Sequence, residues 1–176
     1  GREVRKISMS SHAGTHMDAP SHFIPHARHI DEIDPEIFVG DCLVIDLTGH
    51  VRMGDEDFSK RLGGCIRPRV MLRFGWYDRV YSDNYYTGAP TIIDAAASYL
   101  IDCGCKLLLM DTPSPEKMGE SKVHKTLLGA GVILVEYLTN TLELGDEKLF
   151  NVDLYCLPLK ILGADGAPCR VLARPR

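Results

Sequence analysis

The 176-residue sequence predicts a single α/β domain, 1–176, with a mixed β-sheet or barrel-like core and flanking helices. Three observations carry this. Short apolar runs of strand length outnumber helical patterns, and the helical patterns fall between them. Sixteen glycines and ten prolines punctuate the chain without forming a linker, a repeat or a low-complexity tract. The length suits one domain that buries its own core.

Residues 3–9 alternate weakly and predict a first strand. Residues 42–48, Cys-Leu-Val-Ile-Asp-Leu-Thr, follow the turn Gly40-Asp41 and predict a second. Asp55 to Leu62 predicts a short helix ended by Gly63-Gly64, and 69–74 another strand. Residues 76–90 are rich in Tyr, Asp, Asn, Gly and Pro and predict a loop. The clearest helix spans 92–103, with Thr91 as N-cap, Asp94 at its third position and Gly104 just past its end. Ile92, Ala96 and Leu100 share one of its faces. Residues 105–110 predict a buried strand stopped by Asp111-Thr-Pro-Ser-Pro, since proline cannot extend a ladder. A short helix over 122–128, capped by Ser121, precedes a strand from Val132 to Leu138. Two tail strands, 150–162 and 169–174, flank the turn signal Gly163-Ala-Asp-Gly166.

Hydrophobic residues make up 45% and charged residues 25%, which excludes disorder, a collagen-like repeat and a coiled coil. Lys and Arg number 20 against 24 Asp and Glu, a net charge of −4, so no basic excess exists for nucleic acid. The longest apolar runs, such as Val132-Ile-Leu-Val135, fall far short of the roughly 18 residues of a membrane span. Cys42, Cys65, Cys103, Cys105, Cys156 and Cys169 are scattered without a CxxC pair. Reduced thiols in a cytoplasmic protein are the expectation, with no signal peptide in view.

One segment stands apart: Ser11-His12-Ala-Gly14-Thr-His16-Met-Asp18-Ala-Pro20-Ser-His22. Gly14 weakens a helix here and Pro20 would break one, so an extended path is predicted. Positions 12, 16, 18 and 22 then point to one side. Imidazole and carboxylate within seven residues suit zinc, manganese or iron(II), and His12, His16 and Asp18 are candidate ligands. His26, His29 and His50 lie among turn and charged residues and are expected in solvent. Glu136 interrupts an apolar run, so it is expected to be buried and to need a metal, an arginine or a hydrogen-bond cluster as partner. His124 falls in the first turn of its helix, where the dipole disfavours imidazolium and favours the neutral ring a metal needs. An ordinary helix-start histidine is the other reading.

His12-x-Gly-Thr-His16-x-Asp18-x-Pro-x-His22 resembles the signature of the cyclase family of metal-dependent hydrolases, which includes bacterial kynurenine formamidases (arylformamidases) and isatin hydrolases. The similarity extends through Gly40–Thr48, Met110–Ser114, His124–Glu136 and Leu157–Gly166. It implies a fold of the swivelling β/α/β type. Carried over position by position, it makes His12, His16 and Asp18 ligands of a first zinc and His124 a ligand of a second. Asp18 and Glu136 would bridge the two, and His22 would be the catalytic histidine. Two Zn²⁺ per chain are thus implied, with Mn²⁺ the alternative used at a similar first site by the isatin-hydrolase branch. The implied reaction is hydrolysis of N-formyl-L-kynurenine to L-kynurenine and formate, with lactam hydrolysis as the alternative. The implied assembly is a homo-oligomer, dimer or tetramer, acting on a small aryl amide. Family members carry some tens of residues before the signature; eleven precede His12 here, and the N-terminal segment is expected to be missing.

Two readings of other classes stay open on the residues alone. His16, Asp18 and His124 also form a 2-His-1-carboxylate set of the kind found in non-haem iron oxygenases, which expects a mostly β barrel. A metal-stabilised binding or assembly protein is the non-enzymatic reading. Trp76, Tyr77, Tyr81, Tyr85 and Tyr86 could wall an aromatic pocket or pack at a subunit contact. Asp111 and Thr112 could serve function or simply make a turn.

Overall fold

The structure is a computed structural model that describes residues 1–62, 64 and 68–176. The strands are β1 (His16–Asp18), β2 (Val39–Asp46), β3 (Arg52–Met53), β4 (Arg69–Arg73), β5 (Thr91–Ile92), β6 (Leu107–Met110), β7 (Ile133–Glu136), β8 (Leu149–Pro158) and β9 (Gly166–Pro175). The helices are α1 (Asp55–Leu62), α2 (Asp94–Asp102) and α3 (Lys122–Gly129). Seven strands close a mixed barrel in the order β1-β7-β6-β4-β2-β8-β9. Its β2, β4, β6 and β7 run parallel, while β1, β8 and β9 pair antiparallel with their neighbours. β3 and β5 form a separate two-stranded parallel sheet.

Strand alternation sorts the apolar residues into two cores. One fills the barrel: Met17, Val44, Met71, Leu107, Leu109, Ile133, Val135, Val152 and Leu154. The other lies on the outer face, where Leu43, Ile45, Val70, Leu72, Leu108 and Leu134 meet the helices through Phe58, Leu62, Ala96, Leu100, Val123 and Leu127. The four parallel strands are therefore buried on both faces. That is why the sequence shows them as near-continuous apolar runs rather than alternating ones. Glu136 has the parity of Leu134, so it faces the helical layer and not the barrel interior.

Several expectations change in the fold. Residues 3–9 form no strand and lie exposed. Thr91 is not a helix cap: its N–H donates to Val51, that of Ile92 donates to Pro115, and α2 starts only at Asp94, behind Ile93. Long-range strand pairing has taken residues that local signals assign to a helix start. Gly104, just past α2, has the left-handed backbone expected of it, with φ +86°. The predicted strand 150–162 stops at Pro158, and Leu159 to Asp165 form the turn into β9. Gly63 and Cys65, named in the helix-end and cysteine readings, lie outside the described residues. Cys42, Cys105 and Cys156 are free thiols in the interior. Among the described residues, no helix is long and apolar enough to cross a membrane.

Trp76 and Tyr85 belong to the outer core, where the indole N–H donates to the Tyr85 carbonyl at 2.9 Å; Tyr81 is exposed. Asp111 is a turn-maker. Its buried carboxylate accepts from the N–H groups of Phe74 and Gly75 and from the Thr141 hydroxyl, tying three loops together at one end of the parallel strands.

A buried ion pair fastens the ends of β2 and β4. Arg73 Nε donates to Asp46 Oδ1 at 3.2 Å, and the same guanidinium reaches the carbonyls of Gly145 and Glu147 ahead of β8. Burial opposes ionisation of Asp46, but hydrogen bonds from Lys148 and Thr48 overcome it and hold its pKa at about 2, against an ordinary 3.8. Replacing Asp46 with Asn leaves Arg73 buried without its counter-charge and is expected to cost about 3 kcal/mol of stability in chemical denaturation. A pKa lower in the folded state gives stability that is complete above 3.8 and is lost as the pH falls through about 2. The gap between wild type and Asp46→Asn should therefore close over that interval.

Candidate metal centre

The site forms where β1 joins β7. His16 lies directly opposite Glu136 in this antiparallel pair, with Met17 opposite Val135 and Asp18 opposite Leu134. Alternation sends Met17 into the barrel and His16 and Asp18 outward, beside Glu136. β1 is only three residues long. Gly14, at φ +63°, turns the chain before it, and Pro20 opens a 3₁₀ turn, Pro20–His22, after it. The segment 12–22 is thus not one extended run. His12 and His22 come back to the site through these flanking turns, their rings tilted 31° to each other with centroids 4.0 Å apart.

The sixth residue, His124, arrives on α3. The expected Ser121 cap makes no side-chain hydrogen bond. Glu116 does that work: its carboxylate accepts from the N–H groups of Val123 and His124, each at 2.9 Å, and from His124 Nδ1 at 2.7 Å. One acid both starts the helix and locks the ring. His16 is locked in the same way, since its Nδ1 donates to the Gly14 carbonyl at 2.8 Å. Both histidines therefore turn Nε2 toward the two carboxylates.

The distances around those carboxylates are informative. His16 Nε2 is 3.2 Å from Asp18 Oδ1 and 3.7 Å from Glu136 Oε2. His124 Nε2 is 3.3 Å from Glu136 Oε1 and 4.0 Å from Asp18 Oδ2. Ligands at about 2.0–2.1 Å from a tetrahedral ion stand roughly 3.3 Å apart, so these spacings suit atoms sharing a cation. His12 differs: its Nδ1 sits 2.8 Å from Asp18 Oδ1 and its Nε2 3.0 Å from Asp165 Oδ2, both hydrogen-bond lengths. His16, Asp18 and Glu136 form one group with mutually close ligand atoms; His12, Asp18 and His22 form another. Among the described residues, no lysine or arginine pairs with Asp18 or Glu136. Two buried acids with no lysine or arginine partner among the described residues, ringed by fixed imidazoles, form a donor set that fits a divalent cation.

The family model for Cyclase matches residues 3–117. The chain is also 30% identical over 176 residues to the kynurenine formamidase of Bacillus cereus, an alignment covering 98% of this chain and 80% of that relative. The chain belongs to the cyclase family of metal-dependent hydrolases. Among solved structures, a potential metal-dependent hydrolase with cyclase activity superposes with a TM-score of 0.81 at 29% identity, over 97% of this chain and 82% of the other. Isatin hydrolase A from Labrenzia aggregata, bound to benzyl benzoate, gives 0.82 at 28% identity, over 96% and 75%.

In this cyclase-family chain, acidic groups set the electrostatics of the site. Burial works against charge on His12, but Asp18 and then Asp165 outweigh it and raise its pKa to about 9. His16 and His124 are also raised against burial, by Asp18 and Glu136 respectively. For His124 the carboxylates thus override the helix dipole, which by itself favours the neutral ring. Glu136 is pushed up by burial and by the facing charge of Asp18, even with His124 beside it. Asp18 moves down, because hydrogen bonds from His12 and His16 overcome its burial.

A cavity of about 530 Å³ opens over the cluster, with His12, His22, Phe23, Ser114 and Tyr137 among its walls. Its aromatic sides are Phe23, 4.7 Å from the His124 ring, and Tyr137, 5.7 Å from the His16 ring. The aromatic group 76–86 stands behind Tyr137 through Tyr85, at 6.3 Å. His26 and His50 are exposed and His29 half-buried, all away from the site. Two site residues escape the sequence reading. Glu116 shows only as an acid eight positions before His124, and Asp165 only as a turn residue.

Replacing Glu116 with Gln is expected to weaken metal binding about 10- to 100-fold, measured by competition with a chromophoric chelator. Ser121→Ala should leave the affinity unchanged, because Ser121 caps nothing.

Proposed function

We propose that this chain hydrolyses a small aryl formamide or cyclic amide, with N-formyl-L-kynurenine the first substrate to test. The observation that carries this reading is the convergence of His16, Asp18, His124 and Glu136, with His12 and His22 beside them, on one cavity with aromatic sides. The kynurenine formamidase and isatin hydrolase relatives support amide hydrolysis. Belonging to the cyclase family supports a hydrolase over an oxygenase or a purely structural metal protein.

His12, His16 and Asp18 would hold a first metal and His124 a second, with Asp18 and Glu136 shared between them. The mixed set of imidazoles and carboxylates suits zinc or manganese. When bound, a divalent metal supplies Lewis acidity and lowers the pKa of water from about 15.7 toward 7. Water adds to the formyl carbon, the C–N bond breaks, and formate and an arylamine leave. The departing nitrogen needs a proton. His22, half-buried in the cavity wall, takes that proton from the hydroxyl of the water adduct and delivers it to the nitrogen. Phe23 and Tyr137 would receive the aryl ring, since flat apolar faces accept an aromatic at little entropic cost. A lactam of similar size presents the same carbonyl and nitrogen, and the isatin hydrolase relative supports that second reading.

Chelation should abolish hydrolysis of N-formyl-L-kynurenine, formanilide or isatin, and added zinc or manganese should restore it. Full activity in metal-free protein would overturn the reading. His22→Ala is expected to keep near-normal metal content while turnover falls about 10²-fold or more.

A further inference from the structure

Asp165 lies in the turn between β8 and β9, distant in sequence from every residue of the metal-binding signature. Its side chain nevertheless organises the N-terminal histidines. Oδ2 accepts from His22 Nδ1 at 2.9 Å and from His12 Nε2 at 3.0 Å, while Oδ1 accepts from the Ser11 hydroxyl at 3.2 Å. The turn that carries it is pinned on both sides. Its own carbonyl accepts from the Ala19 N–H at 2.9 Å, and the neighbouring Ala164 carbonyl accepts from Ile30 at 2.9 Å. Gly166 follows, and a Cβ there would stand 2.6 Å from the Met17 carbonyl and 2.8 Å from the His12 ring. Only glycine lets β9 come this close to β1, and that approach brings the Asp165 carboxylate to the two imidazoles.

The consequence for His22 is specific. A neutral imidazole carries its proton on either nitrogen, and the partner of one nitrogen decides the role of the other. With Nδ1 donating to Asp165, Nε2 is left without a protein partner among the described residues, on a ring that lines the cavity. A base or acid oriented by a third group is the recurring arrangement of proton-transfer sites.

We propose that Asp165 is a positioning residue of the reaction: it fixes the tautomer and the ring plane of His22, so that the bare Nε2 takes the hydroxyl proton of the water adduct and passes it to the leaving nitrogen as the C–N bond breaks. The proposal rests on the reading of His22 as the proton donor. Because Asp165 also holds His12, its effect on proton delivery must be separated from an effect on metal binding.

Two probe substrates with one formyl group make that separation. Formanilide expels an aniline nitrogen that needs a proton. Phenyl formate expels a phenoxide, whose conjugate acid has a pKa of about 10 and which leaves unaided. Each variant is assayed at saturating zinc with its metal content measured. Asp165→Ala is expected to lower kcat on formanilide about 10²-fold at wild-type metal content, and to change kcat on phenyl formate by less than about threefold. His22→Ala should show the same split. Asp165→Asn, which keeps the side-chain size and one acceptor oxygen, should lose less than Asp165→Ala.

An Asp165→Ala variant that behaves as wild type overturns the proposal. So does one that loses both substrates equally, or whose loss follows its metal content, while His22→Ala keeps the split. A His22→Ala variant without the split, or a metal-loaded wild type inactive on both esters and amides, removes the His22 assignment and the Asp165 role with it.

Discussion

His16 faces Glu136 across an antiparallel pairing only three residues long, and the rest of the site is built around that register. A slip of one residue would send His16 and Asp18 into the barrel and Met17 out of it. Met17 is fully buried inside the barrel, so the register is enforced by the core. Closure of the barrel enforces it again. β1 is held on its other edge by β9, with His16 opposite Pro168 and Asp18 opposite Gly166. A strand too short to be stable alone is thus fixed from both sides, and the histidine and the carboxylate it carries inherit that rigidity.

Gathering Asp18 and Glu136 in the interior carries an electrostatic penalty that the fold does not relieve with lysine or arginine. It relieves it with imidazoles. Three of these are held by groups outside the carboxylate pair: His16 by the Gly14 carbonyl, His124 by Glu116 and His12 by Asp165. Fixing one ring nitrogen by a hydrogen bond orients the other, so the arrangement of the donor atoms is set by the protein itself. The apolar layer under α3 and the aromatic rings of Phe23 and Tyr137 keep the surroundings of low polarity, which strengthens the interactions between these charges. Tyr137 directly follows Glu136 and has a left-handed backbone, φ +58°. That conformation is uncommon for a residue with a side chain, and it lets the chain turn sharply just after the carboxylate.

Much of this was legible in the sequence. The parallel strands announce themselves as apolar runs because both of their faces are buried. The helix around His124 and the interruption at Glu136 are visible because a polar residue breaks a period or a run. The clustering of His12, His16, Asp18 and His22 within eleven positions is a local signal that needs no fold to be noticed. Less legible was the path of that segment, where two turns replace a single extended run. Thr91 and Ser121 carry the chemistry of helix caps, yet Thr91 is claimed by strand pairing and Ser121 is displaced by Glu116. Glu116 and Asp165 carry no signal of their own, since an acid in a loop is the commonest thing a surface presents.

The sequence by itself determined the fold class, most of the elements and the residue types able to bind a metal, because these depend on periodicity and on chemistry within a few positions. Only the tertiary structure decided which carboxylates meet which imidazoles and through which ring nitrogen. It also decided that the front of the chain is locked by an aspartate at residue 165. Those are consequences of barrel closure, which brings β9 and β7 to the two edges of β1, and no local pattern encodes the distance between segments more than a hundred residues apart.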